Sequence, residues 1–120
     1  MDSKYSKTAK NVNEIESKVV SICNAEFVKY SLPCPLAYVR KRNSRYYGQT
    51  FYKRSTGELL GIRINLSHLK YRQTVHILDT IKHEIAHAIE VLQYGYCTHG
   101  HNWKELCKVT GALPNQYAKY

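Results

Sequence analysis

The sequence predicts an α+β fold in one domain, on three observations. A chain of 120 residues is long enough for one hydrophobic core but too short for two. Apolar residues recur at helical spacing near both ends, whereas the middle is rich in β-branched and aromatic residues. A hydrophobic content of 43%, without an apolar run long enough to span a bilayer, is typical of a soluble globular protein. The predicted order of elements is helix, sheet, helix, helix.

The first helix is predicted over residues 11–30. Its apolar positions have helical spacing: Val12, Ile15, Val19, Ile22, Cys23 and Phe27. Asn11 and Glu14 are spaced as in a capping box, and the prolines that follow Leu32 end the helix. Residues 1–10 and 115–120 are predicted to be flexible tails of the single domain, 1–120.

Three strands are predicted over residues 36–39, 46–52 and 59–66, separated by short polar stretches. Short links favour antiparallel pairing, so the sheet is expected to be small and mainly antiparallel. The third strand alternates most clearly, with its apolar side formed by Leu60, Ile62, Ile64 and Leu66.

A long helix is predicted over residues 74–94, ending at Gly95. Its buried stripe is expected to contain Leu78, Ile81, Ile85, Ala88, Ile89 and Leu92. A short helix then follows a loop. Asn102 and Glu105 are spaced as a second capping box, and Gly111 is expected to end this helix.

The net charge is +9, and residues 27–57 contain no acidic residue. This asymmetry favours a polyanionic partner, nucleic acid first, although a solvated basic face kept for solubility is the alternative. The basic residues expected to contact DNA are Arg40, Lys41, Arg42, Arg45, Lys53 and Arg54. No secretory signal is evident and the four cysteines form no C-x-x-C pair, so an intracellular, cytoplasmic protein is expected, with no membrane partner.

His83-Glu84-Ile85-Ala86-His87 forms an H-E-x-x-H motif in the middle of the long helix. Residues four apart share a helix face, so both imidazoles can point at one zinc ion, with Glu84 beside the pair as a base. A catalytic zinc generally takes three protein ligands. The nearby candidates for the third are His99, His101, Cys97 and Glu90, and a histidine of the loop is preferred. Asp79, one turn before His83, is a candidate partner for that imidazole's second N–H.

This pattern resembles the SprT-like metalloproteases, the group that includes the Spartan proteases. The residues that carry the resemblance are the motif at His83 to His87 and, after a loop, His99-Gly100-His101-Asn102-Trp103. The family pattern is H-E-x-x-H followed by histidine, glycine, two variable residues and an aromatic residue, and the likeness covers roughly residues 12–113.

The resemblance implies a minimal zincin-like domain with one catalytic Zn²⁺. It implies His83, His87 and His99 as the ligands, ahead of His101, with Trp103 anchoring the ligand loop. The expected function is zinc-dependent peptide-bond hydrolysis in which Glu84 accepts a proton from water, on proteins associated with DNA. The alternative is a nucleic-acid-binding module with a structural zinc, its fourth position closed by Cys97 or His101.

Overall fold

Three helices and a three-stranded sheet form the described part of this computed structural model, which covers residues 4–33, 36–40, 46–65 and 74–114. In chain order the elements are α1 (Lys4–Lys29), β1 (Leu36–Arg40), β2 (Gly48–Lys53), β3 (Glu58–Asn65), α2 (Thr74–Tyr94) and α3 (His101–Thr110). The predicted α+β class is confirmed. No helix within the described ranges combines the length and apolar character that crossing a bilayer requires.

The sheet has the order β1-β3-β2, so the last strand in sequence lies in the middle. β2 pairs antiparallel with β3, as predicted, but β1 pairs parallel with β3, so the expectation of a mainly antiparallel sheet is wrong. The difference arises because β1 pairs with β3 and not with the strand that follows it in sequence, β2. β1 and β2 run in opposite directions but are not neighbours, because β3 turns back from β2 and takes the central position. Ile62 and Ile64 on β3 are fully buried, which suits a strand with partners on both sides.

An irregularity in the β2–β3 ladder changes which leucine of β3 is buried. Phe51 pairs with Gly61 and Tyr52 with Leu59, so Leu60 is an extra residue with no opposite partner. A bulge of this kind reverses the alternation beyond it. Leu59 is therefore buried and Leu60 is 41% exposed, which corrects the predicted apolar side of this strand. Leu66 lies outside the described residues.

Helix α1 is longer at its N-terminus than the sequence pattern predicted. It begins at Lys4, so residues 4–10 are helical rather than a tail, and Asn11 lies inside the helix instead of capping it. The predicted buried face is confirmed at Val19, Cys23 and Phe27. Residues 1–3 and 115–120, the remainder of the predicted tails, lie outside the described residues.

Helix α2 is the centre of the molecule, and its predicted bounds are confirmed. It packs against β2 and β3, α1 and α3, so every residue from His83 to Val91 is buried. Leu92, predicted on the buried stripe, is 43% exposed. Gly95 ends the helix in the left-handed conformation, φ 81°, and its N–H donates to Val91 O.

The N-terminal cap of helix α3 differs from the prediction, whereas its C-terminal end agrees with it. Its N-cap is Gly100, without a side-chain capping bond, so the predicted capping box at Asn102 is wrong. Gly111 ends the helix as predicted, with φ 84° and its N–H donating to Cys107 O. The buried face of α3, which includes Trp103 and Cys107, faces α2 and places Trp103 beside the H-E-x-x-H motif.

Candidate metal centre

Three histidines from two segments meet at the middle of α2. His83 and His87 come from adjacent turns of the helix, and His99 comes from the loop between α2 and α3. One ring nitrogen from each lies within 4.8 Å of the others. The Nε2 atoms of His87 and His99 are 3.3 Å apart. The structure therefore brings together the three histidines that the resemblance implied as ligands.

This arrangement fits a tetrahedral zinc site. Two nitrogens bound to one tetrahedral zinc at 2.0–2.1 Å are separated by about 3.3–3.4 Å, which is the spacing of His87 and His99. The donor set, three imidazoles on a stiff helix and an anchored loop, is also the kind that holds zinc. The residues present fit the ion, and their roles as ligands stay a prediction.

Burial favours the neutral form of His83 and His99, which is the form that a metal requires. Burial, together with the neighbouring imidazoles of His87 and His99, lowers the pKa of His83 to about 2. Burial and His87 likewise lower the pKa of His99 below its ordinary value, although Glu90 opposes this shift. Imidazoles with lowered pKa values are unprotonated at neutral pH, so their lone pairs are available to an ion.

Trp103 supports all three rings from one side. It is fully buried, and its ring centroid is 4.6 Å from His83, 5.2 Å from His87 and 4.7 Å from His99. The contact with His87 is stacked, with 15° between the rings. A rigid indole in this position limits the orientations open to each imidazole. Trp103 therefore contacts the rings themselves, and its anchoring of the loop stays a prediction.

Glu84 lies beside the cluster with its side chain buried. Its Oε1 accepts a hydrogen bond of 2.8 Å from Thr50 Oγ1 on β2, and the same hydroxyl lies 2.9 Å from Glu84 O. Glu84 Oε2 is buried and has no hydrogen-bond partner among the described residues. Burial raises the pKa of Glu84, while His87 and the Thr50 hydrogen bond act to lower it. A carboxylate with a raised pKa and one unengaged oxygen is suited to accept a proton.

The other candidate ligands have different positions. His101 is exposed at the start of α3 and belongs to neither potential metal-binding group found in the described ranges. Cys97 and Glu90 form a second such group with His87, separate from His83 and His99. Burial raises the pKa of the Cys97 thiol to about 12, which disfavours the thiolate that zinc binds. Asp79 Oδ1 accepts the N–H of Leu113, and its predicted role beside His83 stays a prediction.

A cleft of about 210 Å³ opens over Glu84, His87 and His99. Its opposite wall is β2 with the residue Tyr46 that precedes it, and residues 97–98 close one end. Because β2 is an edge of the sheet, the wall presents backbone as well as side chains. The cleft is thus lined by two of the three imidazoles and by the Glu84 residue.

The sequence matches the SprT-like family over residues 15–119, nearly the whole chain. The chain belongs to the SprT-like family. No curated protein and no solved structure gave a significant match. Membership is consistent with a metallopeptidase, and it agrees with the resemblance drawn from the H-E-x-x-H and H-G-x-x-W residues.

Sequence reasoning missed the residues that hold this SprT-like centre in place. Thr50, which positions Glu84, lies on a strand far away in sequence and carries no recognisable signal. Glu90 is predicted from the sequence only as a candidate ligand, although its spacing of three from His87 on a helix also indicates a hydrogen-bond partner. Its carboxylate contacts both His87 and Thr98.

Proposed function

We propose that this SprT-like protein is a zinc-dependent peptidase with a minimal zincin-like fold. The observation that carries the proposal is a buried carboxylate, Glu84, beside three histidines whose ring nitrogens lie within 4.8 Å of one another, two of them 3.3 Å apart as on one tetrahedral zinc. His83, His87 and His99 would hold the ion. When bound, zinc would lower the pKa of water and polarise a substrate carbonyl as a Lewis acid.

The protein's own groups would orient the substrate and move the proton. Glu84 would take the proton from the attacking water at Oε2, the oxygen that Thr50 does not engage, and deliver it to the leaving amine. The Thr50 hydrogen bond would keep the carboxylate directed towards the cleft. Burial raises the pKa of Glu84, which makes it a stronger base than an exposed carboxylate.

The decisive test replaces Glu84 with Gln, which keeps size but cannot accept the proton. We expect zinc content equal to that of the parent and a loss of peptide cleavage of at least about 100-fold, the usual contribution of a general base. Glu58→Gln is the matched control, since Glu58 is an exposed carboxylate on β3, and it should cleave like the parent. Cleavage by Glu84→Gln at the parental rate would refute the assigned role.

A structural zinc in a non-catalytic module is the rival function. It requires a fourth protein ligand, for which Cys97 or His101 is the candidate, and of these Cys97 shares a potential metal-binding group with His87. Alkylation of Cys97 would then release the metal, and no hydrolysis would be found. The peptidase proposal is supported instead by the position of Cys97, which is grouped with Glu90 rather than with His83 and His99. Zinc retained after complete Cys97 alkylation would argue against the rival.

We also propose that DNA-associated proteins are the substrates, reached through the basic segment between β1 and β3. The net charge of +9 supports this, as does the exposure of Lys53 and Arg54 at the β2–β3 turn. Lys41, Arg42 and Arg45 lie outside the described residues.

Reversing two charges tests the location of this DNA-binding surface. Lys53→Glu with Arg54→Glu should weaken DNA binding and make it less sensitive to salt. The slope of log affinity against log salt concentration should become shallower by about 0.9 for each phosphate that the protein no longer neutralises. Lys104→Glu with Lys108→Glu makes the same charge change on α3 and is the control. Equal weakening by both pairs would mean that net charge, and not this segment, determines binding.

A further inference from the structure

Glu90 is a buried carboxylate that contacts two different parts of the metal centre. It is fully buried on α2, three residues after His87. Its Oε1 lies 3.0 Å from His87 Nδ1 and also accepts the backbone N–H of Thr98 at 3.0 Å. Its Oε2 accepts Thr98 Oγ1 at 2.8 Å. One side chain on the helix therefore holds both a helix histidine and the loop residue before His99.

The bond to His87 determines which ring nitrogen can face the cluster. A carboxylate oxygen that already accepts the Thr98 N–H is an acceptor, so His87 Nδ1 supplies a proton to it. A neutral imidazole with its proton on Nδ1 has its lone pair on Nε2. Nε2 is the atom that lies 3.3 Å from His99 Nε2. Glu90 thus selects the tautomer in which the lone pair of His87 points at the ion position.

The bonds to Thr98 hold the loop that carries His99. The loop between α2 and α3 also makes other contacts in the described structure. Cys97 N–H donates to Tyr52 Oη at 3.2 Å, Cys97 Sγ lies 4.0 Å from His87 O, and Tyr96 Oη accepts from Asn102 Nδ2 at 3.1 Å, while Gly100 N–H donates within the loop to Thr98 Oγ1 at 3.1 Å. Thr98 gives two hydrogen bonds to Glu90 from its backbone and its side chain, which restricts both rotation and translation of the segment. Because Thr98 directly precedes His99, fixing the Thr98 backbone also restricts the position of the His99 Cα, from which the imidazole projects.

We propose that Glu90 is a positioning residue that prepares His87 and His99 together for the metal. This inference rests on the proposed metal site. Burying a carboxylate is costly unless several donors satisfy it, and here three donors do so. These hydrogen bonds fix the orientation of the His87 ring and the position of the loop that carries His99 before the ion binds. Partners of this kind typically contribute about 10- to 100-fold to metal affinity.

The test is zinc affinity, measured by chelator competition on the full chain. Glu90→Gln keeps the size of the side chain but removes its charge. The amide NH₂ can still donate to Thr98 Oγ1, whereas His87 Nδ1–H and the Thr98 N–H lose a charged acceptor, to which hydrogen bonds are about twice as strong. We expect zinc to bind about 10- to 100-fold more weakly, with parental circular dichroism. Glu105→Gln is the control, since Glu105 is an exposed carboxylate on α3, and its zinc affinity should be parental. The visible spectrum of bound Co²⁺ should change only in Glu90→Gln.

A pair of Thr98 variants provides a second test that does not disturb the buried charge. Thr98→Val removes the hydroxyl, which donates to Glu90 and accepts the Gly100 N–H. It should weaken zinc binding by about 3- to 10-fold, mainly through the lost bond to the buried carboxylate. Thr98→Ser keeps the hydroxyl and should restore binding to near the parental value. If Glu90→Gln does not fold, this pair decides the proposal, and equal zinc affinity in the two variants overturns it.

The outcomes separate this inference from the proposed function. A parent protein that binds no zinc would overturn the metal site and this inference with it. A parent that binds zinc, together with a folded Glu90→Gln of equal affinity and an unchanged Co²⁺ spectrum, would overturn the role of Glu90 alone. A purely structural Glu90 would give that second result, with only the unfolding free energy reduced.

Discussion

Adding a single methyl group at Gly48 should destabilise the fold beside the Glu84 carboxylate. Gly48 is buried at the start of β2, against α2. A Cβ at this position would lie 3.1 Å from Glu84 Cγ, 3.2 Å from Ile64 Cδ1 and 3.2 Å from Thr80 Cγ2. Carbon atoms in favourable contact are about 3.5–4.0 Å apart, so all three neighbours are too close at once.

The size of the effect follows from how far these neighbours can move. Thr80 is β-branched and stiff on a helix, and Glu84 is held by Thr50, so only the end of Ile64 can give way easily. Overpacking of a filled core costs about 1–3 kcal/mol, while replacing Gly by Ala returns about 0.4–1 kcal/mol through the unfolded chain. Because two of the three neighbours cannot move easily, the overpacking cost should lie in the upper half of its range, about 2–3 kcal/mol, so we expect Gly48→Ala to lower the free energy of unfolding by about 1–2.6 kcal/mol. The melting temperature should fall by about 3–6 °C for each kcal/mol.

Urea denaturation of four proteins measures this effect and its cause: the parent, Gly48→Ala, Thr80→Ser, and the double variant. Thr80→Ser keeps the hydroxyl but removes the Cγ2 methyl that the new Cβ would meet. The cost of Gly48→Ala should therefore be smaller in the Thr80→Ser background, by about 0.5 kcal/mol or more. The reasoning is refuted if Gly48→Ala is as stable as the parent, or if its cost is the same in both backgrounds.

Three further predictions concern the core, a helix end and a buried thiol. Ile85→Ala should lower the free energy of unfolding by about 2–5 kcal/mol, since Ile85 is fully buried, and a decrease below about 1 kcal/mol by denaturant titration would contradict its place in the core. Gly95→Ala should lower the free energy of unfolding by about 1–2 kcal/mol, because φ is 81° and an alanine is strained in this conformation. Nothing lies within 4 Å of the added Cβ, so a steric clash does not contribute. Unchanged stability on thermal melting would mean a different backbone conformation. Burial raises the pKa of Cys23 from 9.0 to about 12, so iodoacetamide at pH 8 should label it only in denaturant, as peptide mapping would show. Labelling of the native protein at pH 8 would refute the burial of Cys23. Because the pKa of this thiol is higher in the folded than in the unfolded chain, the stability that it contributes is complete below pH 9 and is lost as the pH rises from about 9 towards about 12.

Local patterns were sufficient where neighbours in sequence are also neighbours in space. The 3.6-residue periodicity and the terminal glycine determined the bounds of α2, because a helix is built from local bonds and ends where Gly95 can adopt a positive φ. The same locality placed His83 and His87 on one face. It failed at the start of α1, where residues 4–10 are helical without an apolar pattern to indicate it.

The sequence by itself determined the α+β class, the long helix and the set of chemically competent residues from His83 to His99. Only the tertiary structure decided that β3 lies between β1 and β2, since strand adjacency depends on which strand buries most apolar surface. Only the tertiary structure showed the bulge that exposes Leu60. It also decided that Thr50 holds Glu84. Such contacts join elements distant along the chain, and their energies become favourable only once the core that encloses α2 has formed.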